Sequence, residues 1–214
     1  MIKVHHLNNS RSQRVSWMLE ELELGYEIIQ YERDAETSLA PESLKKIHPL
    51  GKSPVLEDAE TLIAESGATI DYLARTYSAG GLCPTVTDAD YERYNELMHY
   101  SEGSAMLPLI LALYVRRLGD AGEPLAPRIT SEIELHIGYL AATLGANDYF
   151  MGEKFSAVDV QMTFVLEAAN VGGGLAKIPN LASYLERVQT RPAYLRAIER
   201  GGVYFLGPKP DDTV

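Results

Sequence analysis

The chain has 214 residues, of which 46% are hydrophobic and 23% are charged, so it is long enough for one large domain or two small ones with hydrophobic cores. Nineteen Lys and Arg against 30 Asp and Glu give a net charge of −11, which disfavours nucleic acid and anionic membranes as partners because the average surface repels phosphate. The single cysteine, Cys83, excludes an internal disulfide and a cysteine-rich metal site. Without a secretory leader or a membrane-spanning apolar run, we expect a soluble, cytoplasmic, metal-free protein.

Residues 1–80 alternate β-rich runs with helical patterns. Residues 2–7 predict one strand, and residues 26–31, which are rich in β-branched and aromatic side chains, predict a second. Between them, an apolar pattern with the spacing i, i+3, i+4, i+7 starts at Val15 and predicts a helix that stops before Gly25. The three segments therefore predict a βαβ unit.

The next segments complete this first predicted domain. A short helical stretch is expected near residues 41–47. Residues 54–58 and 61–64 predict two strands close enough for a hairpin, and residues 66–77 predict a helix. The order of elements is then βαβαββα, and the domain is expected to span residues 1–80.

After it the composition changes. Residues 78–88 are rich in Gly, Pro and small polar residues, as is typical of an interdomain linker. A long helix capped by Thr87 or Asp88 is expected to follow, with a kink or a division at Pro108. Every later pattern is helical, so residues 88–214 predict an all-helical second domain. Its further helices are predicted at about 126–144, 157–170, 180–190 and 193–200.

Two local features have structural interpretations. Ser156 and Asp159 form a Ser-x-x-acid pattern, which predicts a capping box at the start of the helix near 157, with Phe155 as a hydrophobic staple. Cys83 is expected to be a buried small hydrophobic residue in the linker.

Several separated segments together resemble the glutathione transferase superfamily. They are Val4–Arg14, Lys46–Leu56 and Ala64–Ser66 in the first half, and Phe155–Asp159, Pro179–Leu181 and Arg191–Tyr194 in the second. The first three resemble a serine-type branch found in bacteria and fungi. The resemblance implies an α/β thioredoxin-like N-terminal domain, an all-α C-terminal domain, and glutathione as a co-substrate with no other cofactor.

The resemblance assigns Ser10 to the hydroxyl that hydrogen-bonds the glutathione sulfur. The thiolate is the nucleophile, and a free thiol is only slightly ionised at neutral pH. The structural alternative is a plain helix-capping serine, because Ser is a favoured cap. Ser12 and Asn9 are local rivals, since either reaches the same point if the loop turns differently.

Four charged or titratable side chains flank this segment. His5 and His6 suggest a catalytic base, but adjacent residues on a strand point to opposite faces, so at least one of them is structural. Arg11 and Arg14 are candidates to stabilise an anion near the helix start, although a solvated or salt-bridged arginine is the commoner case.

Two further segments are expected to bind the tripeptide. The resemblance implies a cis bond before Pro54, which would present the backbone NH and C=O of Ser53 to the cysteinyl part of glutathione. Lys52 is then placed to neutralise the glycyl carboxylate. Glu65 and Ser66 stand before a predicted helix, where an acid beside NH and OH donors suits the ammonium and carboxylate of the γ-glutamyl end.

The second-substrate pocket is expected to be apolar. Its candidate residues are Met106, Leu109, Ile110, Leu113 and Tyr114, with the tail at Tyr204 and Phe205 as an addition. The resemblance implies conjugation of glutathione to small hydrophobic electrophiles, or reduction of hydroperoxides by the same thiolate. Thiol-disulfide exchange is disfavoured because members with that chemistry carry Cys where this chain has Ser10. A non-catalytic binding protein with the same fold is the alternative.

A homodimer is the predicted assembly. The resemblance implies it, and the segment after the linker presents Tyr91, Tyr94, Met98 and Glu102 at helical spacing. These side chains are expected to give that helix an exposed aromatic surface with a polar rim.

Overall fold

A computed structural model describes residues 1–208 of the chain. The chain divides into two compact units, one built from Met1–Cys83 together with the segment from Arg187 onward, and one from Pro84–Glu186. The sequence-based domain limits of 1–80 and 88–214 stay predictions, and residues 209–214 of the second lie outside the described part.

The first unit is built on a mixed four-stranded sheet. Its strands are β1 (Ile2–Leu7), β2 (Tyr26–Tyr31), β3 (Val55–Asp58) and β4 (Thr61–Ala64), in the spatial order β2-β1-β3-β4. β1 and β2 are parallel, as a helical crossover requires, whereas β3 runs antiparallel to both β1 and β4. The predicted βαβ unit and hairpin are therefore confirmed.

Helices pack on this sheet and on one another. They are α1 (Ser12–Glu21), α2 (Ser66–Tyr77) and α8 (Pro192–Gly201), and a 3₁₀ turn spans Glu42–Lys46. α1 contacts α2 and α8. Val15, Met18 and Leu19 are fully buried, as the apolar spacing predicts. Trp17 meets Tyr194 of α8 edge to face, with ring centroids 5.1 Å apart.

Ion pairs add to the contact between α1 and α8. Glu20 accepts hydrogen bonds from Arg196 (2.8 Å) and Arg200 (2.9 Å), and Glu21 binds Arg191 through two bonds of 2.7 Å. The two Glu21 bonds form a bidentate pair, which fixes geometry better than a single contact does. Sequence reasoning assigned α8 to the helical domain, but the structure packs this helix in the first unit.

The second unit is helical. It contains α3 (Tyr91–Tyr100), α4 (Met106–Val115), α5 (Ala126–Leu144), α6 (Ala157–Asn170) and most of α7 (Pro179–Gln189). The central helix α6 is buried from Ala157 to Glu167. Its capping box forms as predicted, with the Asp159 carboxylate accepting from the Ser156 backbone NH at 2.8 Å.

The long helix predicted after the linker is wrong in two respects. Residues 85–88 form a turn in which Asp88 accepts from the Thr85 backbone NH, so α3 begins at Tyr91 instead of being capped by Asp88 or Thr87. The disturbance in the helix is a π-helical turn, Ser101–Ala105, which lies before Pro108, and the backbone stays helical on both sides of it. The proline ring lacks an NH and clashes with the carbonyl four residues earlier, so the helix widens just before it.

The aromatic surface predicted on this helix is also wrong in part. Tyr94 and Met98 are buried within the single chain, with 2% and 7% of their surfaces exposed. Tyr91 and Glu102 are half-buried. The side chains of α3 therefore provide little exposed aromatic surface for a second copy.

Among residues 1–208, no helix combines the length and the apolar character that a membrane crossing needs. Cys83 is buried, as predicted, and burial raises the pKa of its thiol.

Candidate functional site

Three loops of the first unit meet at one end of the sheet. β1 ends at Leu7 and leads to Ser10, β3 starts after Pro54, and β4 ends before Glu65. Because β3 is antiparallel to both β1 and β4, the end of β1, the start of β3 and the end of β4 lie at the same edge. The structure thus brings together the segments that sequence reasoning assigned to the thiol and to the tripeptide.

Ser10 lies at the entrance to α1 and is 7% exposed. Its Oγ accepts the backbone NH of Ser12, the first residue of the helix, at 3.2 Å, and lies 2.8 Å from the Ser12 Oγ. The hydroxyl therefore bonds an NH group at the start of the helix, as in the structural alternative, although Arg11 holds the N-cap position. It also sits where the positive end of the helix dipole favours an anion.

The two rivals of Ser10 already hold other contacts. The Ser12 Oγ donates to the Leu7 carbonyl at 3.2 Å and lies 3.0 Å from His6 Nδ1. The Asn9 side-chain oxygen accepts the backbone NH of Phe205 at 2.7 Å. The Ser10 side chain bonds only to Ser12 among the described residues, which is compatible with its predicted role.

The β1–α1 loop is braced by a side chain that sequence reasoning missed. Arg33 donates to the carbonyls of Asn8 (3.1 Å), Asn9 (3.1 Å) and Ser38 (3.0 Å). Asn9 adopts a positive φ of 50° in this loop, a conformation that Asn tolerates better than most residues. No local pattern signals this contact, because Arg33 lies beyond the neighbouring strand.

The two adjacent histidines have separate surroundings. The ring of His5 bonds Tyr31 and Glu57, each at 2.9 Å, whereas the ring of His6 bonds Ser12 on α1. His5 is therefore part of a structural network on the sheet. His6 is 4% exposed, and burial lowers its pKa.

The Ser53–Pro54 peptide bond is cis, as the resemblance implies. The Ser53 hydroxyl accepts from the Leu7 backbone NH at 3.1 Å and donates to the His5 carbonyl at 2.8 Å. The side chain of Ser53 thus joins the β3 end of the loop to β1. Lys52 is exposed beside it.

Glu65 and Ser66 occupy the junction between β4 and α2. Glu65 is exposed and has φ 70° and ψ 119°, an uncommon conformation for a residue with a side chain. Such conformations often mark functional sites. Ser66 is 3% exposed, and its hydroxyl accepts from Arg14 Nη1 at 3.0 Å. Arg14, itself 2% exposed, therefore places a buried cation at the predicted γ-glutamyl site.

The predicted second-substrate residues lie on α4 of the helical unit. Met106 is buried, Leu109 and Ile110 are half-buried, and Leu113 and Tyr114 are 50% and 59% exposed. These residues therefore do not share one environment. The tail residue Phe205 is 80% exposed in the first unit, next to the loop that carries Asn9.

A mixed four-stranded sheet with a cis-proline before β3, followed by a helical unit, defines a thioredoxin-like fold joined to an all-α region. Residues 1–75 match the family model described as glutathione S-transferase, N-terminal domain, and residues 121–196 match the corresponding C-terminal domain. The chain belongs to the glutathione S-transferase family.

Individual relatives agree with this assignment. Glutathione S-transferase 3 of Schizosaccharomyces pombe is 37% identical over 94% of this chain and 88% of the relative. Glutathione S-transferase 1 of Saccharomyces cerevisiae is 32% identical over 94% and 95%. A crystal structure of a glutathione S-transferase from Actinobacillus pleuropneumoniae is 34% identical, with a TM-score of 0.87 over 96% of this chain and 95% of that one.

Proposed function

We propose that Ser10 stabilises the thiolate of glutathione and that the chain transfers this thiolate to small hydrophobic electrophiles in the cytoplasm. The observation that carries the proposal is the position of the Ser10 hydroxyl at the start of α1, at the sheet end that also holds Ser53, Glu65 and Ser66. Glutathione is the co-substrate, and no further cofactor is assigned.

The Ser10 hydroxyl and the N-terminus of α1 can together supply the free energy of anion stabilisation that this role requires. Lowering a thiol pKa by about two units requires about 2.7 kcal/mol of preferential stabilisation of the anion. A hydrogen bond to a charged group contributes about 1.5 to 3 kcal/mol, and a helix N-terminus adds about 0.3 to 1 kcal/mol. Burial of Ser10 strengthens both terms because the local dielectric is low.

The remaining contacts divide the tripeptide among three loops. Glu65 receives the γ-glutamyl ammonium, and Ser66 with the NH groups at the start of α2 receives its carboxylate, to which Arg14 adds a positive charge. The Ser53 backbone pairs with the cysteinyl part as an added strand would, next to Pro54. Lys52 neutralises the glycyl carboxylate.

The second substrate is proposed to contact α4 through Met106, Leu109, Ile110, Leu113 and Tyr114. Four of these five side chains are apolar, which favours a hydrophobic electrophile, and reduction of hydroperoxides uses the same thiolate. A non-catalytic glutathione-binding protein is the alternative. Retention on a glutathione column combined with turnover of a panel of haloaromatics, isothiocyanates and hydroperoxides supports the enzyme, whereas retention without turnover of any of them contradicts it.

Glu65→Ala and Ser66→Ala are each expected to weaken glutathione binding. Loss of a hydrogen bond to a charged group costs about 1.5 to 3 kcal/mol, which is about ten- to a hundredfold in Kd. Titration calorimetry measures the affinity, and far-ultraviolet circular dichroism checks that the helical signal is unchanged. Exposed Glu60→Ala, on the β3–β4 turn, is the matched control. Wild-type affinity in both site variants would place the tripeptide elsewhere.

A homodimer remains the expected assembly, on the basis of family membership. Light scattering at micromolar concentration measures it directly. We expect a mass of twice the 23.6 kDa chain. A mass equal to that of the single chain would refute the homodimer.

A further inference from the structure

A chain of hydrogen bonds leads inward from Ser10. The Ser10 Oγ lies 2.8 Å from the Ser12 Oγ, which lies 3.0 Å from His6 Nδ1. All three side chains are more than nine-tenths buried. These hydrogen bonds therefore connect the Ser10 hydroxyl, which is proposed to bind the thiolate, to the imidazole of His6. The thiolate itself does not contact this titratable ring.

The far side of the His6 ring meets the end of α8, and this contact indicates the tautomer of the ring. A hydrogen bond with the Gly201 backbone, at the end of α8, raises the pKa of His6, although burial lowers it more. A bond that raises this pKa is one in which the ring donates, so the acceptor is the Gly201 carbonyl. Nδ1 is already next to Ser12, so Nε2 carries the donated proton. Neutral His6 then presents Nδ1 as an acceptor to Ser12.

The backbone of Gly201 lies close to the His6 ring. A Cβ at Gly201 would lie 3.1 Å from His6 Cε1, 3.3 Å from His6 Nε2 and 3.1 Å from Gln13 Oε1, which is tighter than most Cβ contacts. The C-terminal end of α8 therefore sits directly against the ring. Its partial negative charge favours an imidazolium, which offsets part of the burial penalty.

The charged side chains of the packed elements are engaged elsewhere. Arg14 of α1 reaches Ser66, and Glu20 pairs with Arg196 and Arg200 of α8. On β2, Gln30 lies opposite His6 and donates to the Arg200 carbonyl. Among the described residues, burial and the Gly201 bond are the two causes of the shift in the His6 pKa.

We propose that His6 accepts the glutathione thiol proton through Ser12 and Ser10. This inference rests on the proposed function. The S–H bond breaks and the sulfur keeps the electron pair, while its proton passes to the Ser10 Oγ. The Ser10 proton passes to the Ser12 Oγ, and the Ser12 proton passes to His6 Nδ1. A neutral thiol and a neutral imidazole become a thiolate and an imidazolium.

The proton transfer also reverses the direction of these hydrogen bonds, so the Ser10 hydroxyl ends with its proton directed at the sulfur. Before transfer, the Ser12 hydroxyl must turn its single proton from the Leu7 carbonyl, 3.2 Å away, to His6 Nδ1, 3.0 Å away. The Ser10 hydroxyl then donates to the Ser12 oxygen. After transfer, the imidazolium donates to Ser12, Ser12 donates to Ser10, and Ser10 donates to the thiolate. If His6 stayed neutral, a Ser10 hydroxyl that donated to the sulfur could not also donate to Ser12. The Ser10 and Ser12 oxygens would then face each other with no proton between them. His6 is thus a positioning residue that acts through the two serines.

Proton counting tests the relay on the intact protein. Glutathione is titrated into wild-type protein at neutral pH in buffers of different ionisation enthalpy, which gives the protons released, while ultraviolet absorbance gives the thiolate formed. S-methylglutathione, which has no ionisable thiol, corrects for other groups. We expect well below one proton released for each thiolate formed. One proton for each thiolate would overturn the relay and leave the proposed function standing, whereas no thiolate in wild-type protein would overturn both.

His6→Asn is the variant that tests the relay. The side-chain amide of the asparagine can reach Ser12 from the position of Nδ1, but it cannot take up a proton. The thiolate fraction is expected to fall about tenfold, equivalent to about one pKa unit, and each remaining thiolate should release one proton. His5→Asn, one residue away on the same strand and also buried, is expected to behave as wild type. A His6→Asn protein with the wild-type thiolate fraction and proton count would overturn the relay. If this variant does not fold, the wild-type proton count alone decides.

Discussion

Replacing Asp159 by alanine is expected to lower the free energy of unfolding by about 3 to 5 kcal/mol. The Asp159 side chain is fully buried at the start of α6 and accepts hydrogen bonds from the Phe150 NH (3.0 Å), the Ser156 NH (2.8 Å), the Ser156 hydroxyl (3.0 Å) and the Tyr184 hydroxyl (3.1 Å). Each buried donor that loses its acceptor costs about 1 to 3 kcal/mol, and water replaces some of the lost bonds.

The carboxylate depends on these four donors. Burial raises the pKa of Asp159 to about 6, against the hydrogen bonds that lower it. Urea unfolding followed by circular dichroism measures the change as a shift of the midpoint at constant slope. Asp120→Ala, at an exposed position of the same unit, is the control and should unfold like the wild type. A loss below about 1 kcal/mol for Asp159→Ala would show that the capping box is dispensable.

Replacing Ser10 by alanine is expected to reduce turnover at neutral pH by about ten- to a hundredfold, the equivalent of one hydrogen bond to a charged group. The affinity for glutathione should change much less, because tripeptide recognition is assigned to Glu65, Ser66 and the Ser53 backbone. Part of the lost rate should return at high pH, where the thiol ionises without help. Steady-state kinetics over a range of pH, combined with calorimetry, separates the two effects.

Two further variants make this result specific. Ser16→Ala removes a buried hydroxyl from the same helix and should leave turnover unchanged. Ser10→Cys should form a mixed disulfide with glutathione and shift the chemistry from conjugation to thiol transfer. Wild-type turnover in Ser10→Ala over the whole pH range would assign the role to Ser12, Asn9 or the backbone.

The elements with local signals were predicted from sequence. β-branched runs and the apolar spacing from Val15 place β1, α1 and β2, because short-range patterning dictates which face is buried. The Ser156–Asp159 box was predicted for the same reason, since its partners are three residues apart. The loop that carries Ser10 was located because it directly follows a strand, although its role stays a prediction.

Contacts between distant segments were not predicted. Glu20 binds Arg196 across 176 positions, and Arg14 reaches Ser66 across 52. Nothing in the local pattern of a charged helix face indicates its partner. Sequence reasoning also left His5 and His6 undistinguished, since alternation says that they face opposite ways but not which one meets α1.

The positions of disturbances in helices and the solvent exposure of helical side chains were predicted less well. Pro108 correctly indicated a disturbance, but its steric effect falls on the preceding turn, so the π-helical turn lies at Ser101–Ala105. Tyr94 and Met98 were expected at a surface because their helix was considered alone. In the structure they are buried within the chain, which only tertiary packing decides.

Thiolate stabilisation by Ser10 is tested most directly by the pKa of glutathione bound to the wild-type protein. Ultraviolet absorbance of the thiolate, recorded against pH at saturating glutathione, gives this value. We expect a midpoint about two pKa units below that of free glutathione, and a return towards the free value in Ser10→Ala. A midpoint equal to that of free glutathione in the wild type would contradict thiolate stabilisation by Ser10.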